Sequence, residues 1–568
     1  MARGVCALVG AILLVAGVWL VVRPLTALVV LIVALAVALA GGAIVLIVRG
    51  DREVWRRAAA VLLFLSGVAV VVFLPAVARA LPVLSAVALV VNGVRLVVGV
   101  IGASTVAARV VGVLFALASL AVAGLLVFWP DAATVLIAVL FAVALVVSGF
   151  ALLWRSIRAR AKRPGRRPGV LWRGVAASLA LVISCAGLVG TWQLSSATAR
   201  VGEFYTWNGE IPATPGKVLR VAPYDGDVPA GADAVRVLYS TTYSDGTPAL
   251  ASAVVAYPRG TVTQPRTVLA WQHGTTGVTR QCAPSLGPEA LTEYAVPGIS
   301  RALDRGWVIV ATDYPGQGTG GRYPYLIGQG EGRATLDAIR AAQQIEDANA
   351  SDAAWLWGHS QGGHATLWAA EIAGDYAPEI DVIGVAALSA ASDPLLLARQ
   401  VTDAQSSPLA EVVTSLVLVP YADEYADVDL GSSVHPAGQG IVEAFAGRCV
   451  TSPSTVMSVL VAAALGADAP LYRIDVTTGP IRDRLRENIA DGNVPIPLFL
   501  GQGIDDEVIP IDMQRQLASR LCEAGRAVEE REYPGRSHMG VIAADSPLVD
   551  EIFVWADSIL AGRPQTNC

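Results

Sequence analysis

Two patterns of apolar and polar positions divide this chain. Through residues 1–193, apolar runs of spanning length recur near 5–22, 25–48, 57–75, 80–101, 107–128, 132–154 and 172–193. About twenty apolar residues cross the hydrocarbon core as a helix, so seven transmembrane helices are predicted. From about residue 234, short β-rich runs alternate with amphipathic helices, the signature of a mainly parallel sheet. Strands are expected at 234–239, 252–257, 267–271, 308–312, 354–357, 382–387, 498–500 and 528–533. Helices are expected at about 298–305, 331–348, 361–373, 511–523 and 546–560. The interval from about 393 to 490 breaks the alternation and reads as a helical cap inserted after the sixth of these strands.

The organisation that follows is a six-span membrane domain at 1–157, a basic loop at 158–170 and a seventh span at 171–193. A linker and N-terminal extension at 194–233 then lead to an α/β domain at 234–568. The first six spans read as three repeats of a helical pair, with Pro24, Pro75 and Pro130 at the turn inside each pair. Gly42, Gly93 and Ser148 each follow the proline by eighteen residues, a period that suits close helix packing rather than a transport path. Arg95 is the one clear ionisable residue within a span, placed where its stem can snorkel to the headgroups.

Charge sharpens the division. Residues 1–170 hold three acids (Asp51, Glu53, Asp131) and sixteen bases, whereas 171–568 hold 44 acids and 25 bases. The acidic half argues against a nucleic-acid ligand, which needs clustered Lys and Arg. Arg49, Arg52, Arg56 and Arg57 lie between spans two and three, and the loop 158–170 is rich in Arg with no acid. The positive-inside rule makes both loops and the N-terminus cytoplasmic, so everything beyond about residue 195 lies outside the cytoplasm. Ala197-Thr198-Ala199 has the small-x-small form of a signal-peptidase site, where cleavage would release the outer domain.

Cys6 and Cys185 fall within spans and read as small apolar residues. Cys282, Cys449, Cys522 and Cys568 lie in the exterior domain, where an even number suggests two disulfides with three possible pairings. No cluster has metal-ligand spacing, so neither metal nor cofactor is expected.

Residues 353–363 carry the strongest chemical signal: a strand, then Gly358-His359-Ser360-Gln361-Gly362, then a helix. In such a nucleophile elbow the tight turn exposes the serine hydroxyl and leaves no room for side chains beside it. A serine needs a base, and five histidines are available. His359 sits inside the elbow, His364 on the following helix, His435 in the cap, and His273 in a loop suited to the oxyanion. His538, after the last strand, remains as the base. The segment Gly503-Ile504-Asp505-Asp506-Glu507-Val508-Ile509-Pro510 follows the preceding strand, and its spacing selects Asp506 as the orienting acid, with Asp505 or Glu507 as alternatives. The order Ser360, Asp506, His538 is the hydrolase order, with intervals of 146 and 32 residues. Backbone N–H groups of Gln361 and of Thr275, or alternatively Gly274, are expected to form the oxyanion hole. Asp313, in Asp-Tyr-Pro-Gly, reads as a loop-fixing acid.

The paired-helix pattern of residues 5–157 resembles the HdeD-type family of small membrane proteins, which supplies no catalytic residue. The stretches His273–Gly277, Cys282–Ser285, Asp313–Gly318, the elbow and the Asp506 and His538 loops resemble the secretory lipase family that includes fungal lipase A-type enzymes. That resemblance covers about 205–568. It implies an α/β-hydrolase fold with a helical cap, ester hydrolysis on acyl lipids or smaller esters, and the pairings Cys282–Cys449 and Cys522–Cys568. The membrane domain departs from the family, whose members are typically secreted free. The reading is therefore a multi-pass, membrane-anchored, extracytoplasmic lipase or carboxylesterase. A peptidase, thioesterase or acyltransferase on envelope substrates, or a non-catalytic envelope stress protein, would share the same fold.

Overall fold

The computed structural model describes residues 2–48, 54–157, 169–196, 199–260, 263–403, 407–466, 468–492 and 494–568. The basic loop beyond Ile157, Arg49 and Arg52, and Ala197-Thr198 of the cleavage motif lie outside these residues.

Seven long apolar helices open the chain: α1 (Ala2–Val21), α2 (Pro24–Val48), α3 (Val54–Val72), α4 (Leu74–Ile101), α5 (Val106–Phe128), α6 (Pro130–Ile157) and α7 (Val170–Ser196). In lipid the backbone must satisfy its own hydrogen bonds, so such sequences become helices whatever their propensity. Pro24, Pro75 and Pro130 stand in the first turns of α2, α4 and α6, where the missing N–H costs nothing.

The prolines join helices that scarcely pack on one another. The extensive contacts are α2 with α3, α4 with α5, and α6 with α1, which closes a ring, together with that of α7 on α5. Within it α2, α4 and α6 run parallel and touch each other. Close approach depends on glycines other than those of the eighteen-residue period. A Cβ at Gly149 would come within 2.7 Å of the Gly10 carbonyl oxygen, and one at Gly17 within 2.7 Å of the Val146 nitrogen. Gly42 makes only an ordinary contact at 3.7 Å and Ser148 is exposed, so that period does not mark the tight contacts; Gly93 alone is close to a neighbour, Leu120. Arg95 is exposed on the surface of α4. Tryptophans stand near both ends of the bundle: Trp19, Trp129 and Trp192 at the proline-turn end, and Trp55, Trp154 and Trp172 at the other. This is the interfacial belt that amphipathic indoles form.

The second half is a nine-stranded sheet: β1 (Val218–Pro223), β2 (Ala232–Thr242), β3 (Pro248–Pro258), β4 (Arg266–Gln272), β5 (Val308–Thr312), β6 (Ala350–His359), β7 (Asp381–Leu388), β8 (Leu498–Gly503) and β9 (Val528–Tyr533). Its order is β1-β2-β3-β5-β4-β6-β7-β8-β9, with β1, β2 and β3 antiparallel and β5 to β9 parallel. β1 lies inside the stretch expected to be linker. Helices α8 (Ile299–Asp304), α9 (Gly328–Gln343) and α10 (Gln361–Tyr376) flank the sheet, and two helices near the end of the sequence complete its cover. One face buries Trp307, Trp355, Trp357, Phe499, Phe553 and Trp555, and the other an aliphatic layer with α9 and α10. Chain order reverses on either side of β4, so a cleft opens at the carboxyl ends of β4 and β6, where ligands of open α/β sheets bind.

The cap comprises α11 (Pro394–Asp403), α12 (Pro408–Glu424), α13 (Leu430–Ser433), α14 (Gln439–Ala446), α15 (Thr455–Leu465) and α16 (Gly479–Glu487), after which α17 (Ile511–Glu523) and α18 (Pro547–Leu560) finish the chain. The cap shares one apolar core with the membrane helices: Leu25, Leu28 and Ile32 of α2 and Ala138 of α6 cluster with Ile441, Phe445, Val461 and Leu465. Each proline turn also makes a polar contact with it. Asp468 accepts hydrogen bonds from Leu25 N, Thr26 N (3.1 Å) and Thr26 Oγ1 (2.6 Å) at the start of α2. Arg79 in α4 donates to Glu443 and Gln439 at 2.9 and 2.8 Å. At the start of α6, Asp131 pairs with Arg448.

Candidate active site

Ser360 occupies the turn between β6 and α10 with φ 59° and ψ −119°, a conformation that an L-residue holds only when its surroundings impose it. The flanking glycines are the imposition. A Cβ at Gly362 would fall 1.9 Å from the Gln272 carbonyl oxygen, and one at Gly358 would fall 2.2 Å from the Gly362 oxygen. β4 and the elbow therefore touch backbone to backbone.

Loops after β8 and β9 bring the other two groups. His538 Nε2 is 2.9 Å from Ser360 Oγ, and His538 Nδ1 is 2.9 and 3.0 Å from the two Asp506 oxygens. Asp506 also accepts from Val508 N at 2.9 Å and Ile509 N at 2.7 Å. Burial pushes the Asp506 carboxyl up, but the bond to His538, its charge and the two amides outweigh this, so the acid lies below its ordinary range. Of the two alternatives, Asp505 has an exposed side chain, and Glu507 accepts from the His538 backbone N–H at 3.1 Å rather than from its ring.

The expected oxyanion groups flank the serine. Gln361 is the first residue of α10, so its N–H has no partner within the helix. The loop carrying Thr275 passes beside the elbow: a Cβ at Gly274 would lie 3.4 Å from Ser360 Cβ. Thr275 Oγ1 is hydrogen-bonded to Tyr325 at 2.8 Å. The loop is held from outside by the Cys282–Cys449 disulfide, by Val450 N donating to Thr276 O (2.8 Å), and by Gln317 donating to Thr276 Oγ1 and Gly277 O. The second bridge, Cys522–Cys568, ties the C-terminus to α17. Cys6 and Cys185 are free and exposed on the membrane helices.

The remaining histidines separate by position. His359 Nε2 donates to the His538 carbonyl oxygen at 2.9 Å and packs its ring 4.6 Å from the His538 ring. Burial, then the nearby His538, push its imidazole down to about 3, so it stays neutral and its Nε2–H serves as donor. His273 is buried against Gly274 O and is pushed down to about 4 by burial. His435 lies within the cap, accepting from Ala437 N. His364 bridges Glu331 (2.7 Å) and the Asn488 carbonyl (2.8 Å). Two residues escape sequence reasoning here. His359 holds the His538 backbone carbonyl, although the two residues are 179 positions apart. Fully buried Glu331 binds His364, Gln361 Nε2 (2.8 Å) and Leu326 N (2.9 Å) beneath the elbow, and no motif surrounds it. Asp313 is a structural acid: it accepts from Ser252 Oγ, Ser285 Oγ and Ser285 N. Among the described residues no group of His, Cys, Asp and Glu could hold a metal.

Residues 288–568 match the sequence profile described as secretory lipase, and 114–189 match one described as a short repeat of unknown function (DUF308). Residues 288–568 are thus a secretory lipase domain. A probable inactive lipase of Mycobacterium tuberculosis is 27% identical over 62% of this chain and 80% of its own length. Lipase A of Moesziomyces aphidis is 25% identical over 59% of this chain and 75% of its own. The closed-state structure of Candida antarctica lipase A superposes with a TM-score of 0.53 at 21% identity, covering 65% of this chain and 87% of that one, a likeness of fold. The secretory lipase domain is thus a lipase-like serine hydrolase. With seven apolar helices before it, the whole chain is a multi-pass membrane protein.

Proposed function

We propose that this protein is a membrane-anchored ester hydrolase working outside the cytoplasm on acyl lipids or related esters, with Ser360, His538 and Asp506 as its catalytic triad. The observation that carries this reading is the unbroken hydrogen-bonded line from Ser360 Oγ through the His538 ring to Asp506. His538 Nε2 takes the hydroxyl proton as Ser360 Oγ attacks the ester carbonyl, and the oxyanion rests on the N–H groups of Gln361 and Thr275. The alcohol leaves with that proton. Water, deprotonated by the same imidazole, then releases the acid and restores the serine. Asp506 holds the imidazole in the required tautomer and stabilises its cation.

The two disulfides support an extracytoplasmic catalytic domain. So does the placement of the cap at the proline-turn end of the bundle, away from Arg56, Arg57, Arg155 and Arg173. One relative is named a probable inactive lipase, so activity is the point to test. The full chain in detergent should label with a fluorophosphonate and hydrolyse p-nitrophenyl esters of graded chain length, and Ser360→Ala should do neither. Absence of serine-dependent labelling in the folded, oxidised protein would refute the reading and favour a ligand-binding role.

A further inference from the structure

The cap helix α15 carries an apolar stripe that no other part of the chain covers among the described residues. Val456 and Leu460 are each 58% exposed, and Ala463 and Ala464 continue the same face at helical spacing. The opposite face, with Ser458, Val461, Ala462 and Leu465, is buried against α12, α2 and α6.

The level of this helix is set at both ends by the membrane domain. Near its start, Ser458 Oγ accepts from Arg448 (2.8 Å), whose guanidinium lies 5.0 Å from the centre of the Trp129 ring and binds Asp131 at the head of α6. Beyond its end, Asp468 caps α2 through Leu25, Thr26 N and Thr26 Oγ1. α15 therefore bridges the outer ends of two membrane helices at the depth of the tryptophan belt, where headgroups meet acyl chains. An apolar helix held in that plane by its neighbours, with one face left open, presents that face to the acyl chains. Val450, 40% exposed, lies between this stripe and the loop of Thr276, to which it is hydrogen-bonded.

We propose that α15 lies in the outer leaflet with Val456 and Leu460 among lipid, and that the site of Ser360 draws its ester from that leaflet. The second part rests on the reading of Ser360 as nucleophile. The first does not.

The test uses the full chain in vesicles of phosphatidylcholine and phosphatidylglycerol. In a Cys6→Ser/Cys185→Ser background, an environment-sensitive fluorophore is attached to Leu460→Cys and, for comparison, to Tyr294→Cys, which is 70% exposed on the hydrolase domain. Emission from the first is expected to shift to shorter wavelength and to be quenched by phosphatidylcholine brominated on its acyl chains; the second should report water. Identical, unquenched emission from both would overturn the placement of α15. In parallel, Val456→Glu/Leu460→Glu should lower hydrolysis of a long-chain ester dissolved in the vesicles at least about tenfold, with p-nitrophenyl acetate turned over as before. Equal rates on both esters for variant and parent would overturn delivery from the leaflet. A parent protein inert toward both esters and toward fluorophosphonate would refute the hydrolase reading, while quenching still decides where α15 lies.

Discussion

Arg448 meets both carboxylate oxygens of Asp131 at 2.7 Å, joining a membrane helix to the cap across 317 residues of sequence. The Asp131 side chain is fully buried and that of Arg448 is 11% exposed. Removing one member of such a pair strands the other charge and costs about 3–5 kcal/mol. Arg448→Ala should therefore lower the thermal midpoint of the detergent-solubilised protein and raise protease sensitivity within the cap. The exchanged pair, Asp131→Arg with Arg448→Asp, should recover part of the loss. An unchanged midpoint in Arg448→Ala would mean that the clamp contributes nothing to cap stability.

The three adjacent carboxylates 505–507 can be told apart by kinetics. Asp506→Asn keeps the shape but removes the charge facing the His538 ring, and kcat should fall by about 10⁴. Asp505→Asn, at an exposed side chain, should stay within about threefold of the parent. Glu507→Gln retains an acceptor for the His538 N–H and should lose no more than about tenfold. Ester turnover by the three variants checks the order.

Asp313 should leave a mark on stability against pH. Burial raises its carboxyl to about 6, against the lowering by hydrogen bonds from Ser252 and Ser285. The folded state thus binds a proton that the unfolded chain has lost, so the contribution of Asp313 to stability falls as pH rises from about 4 to about 6 and is level above that. The contribution is of the order of 3 kcal/mol. Thermal midpoints across this range should decline in the parent protein and decline less in Asp313→Asn.

The disulfides should differ in function. Cys282–Cys449 closes a span of 167 residues and pins the loop of Thr275 to the cap, whereas Cys522–Cys568 closes 46 residues far from Ser360. Cys282→Ser/Cys449→Ser should cost about 2–5 kcal/mol and also lower kcat about tenfold, because the loop of Thr275, the proposed oxyanion donor, loses its outer support. Cys522→Ser/Cys568→Ser should lower stability alone. Unfolding and ester turnover, measured on the same preparations, separate the two.

Most sheet strands were legible because alternation and β-branched runs are local properties. β1 was not: Val218–Pro223 is a partly exposed edge strand ending in proline, so it offers neither a buried run nor a clean alternation. The membrane repeats show the same boundary. Proline turns and hydropathy announced three pairs, yet each of the six helices packs mainly on a helix of another pair, and the contact of α1 with α6 runs through Gly10, Gly17 and Gly149, none of which belongs to the eighteen-residue period. Which small residue faces a neighbour depends on the rotation of each helix, and an all-round apolar sequence carries no record of rotation.

Local sequence is enough to place the seven spans, since a lipid environment leaves an apolar run no other way to satisfy its backbone. It also determined the strand–turn–helix at Ser360, since Gly358 and Gly362 alone permit that turn, and it named Asp506 and His538 by their place after strands. Tertiary structure alone decided what those groups meet. The His359 ring beneath His538, Glu331 beneath the elbow and Arg448 on Asp131 are contacts between residues at least 30 positions apart. Such contacts form only when the sheet, the cap and the membrane helices close on one another, and local periodicity holds no trace of them.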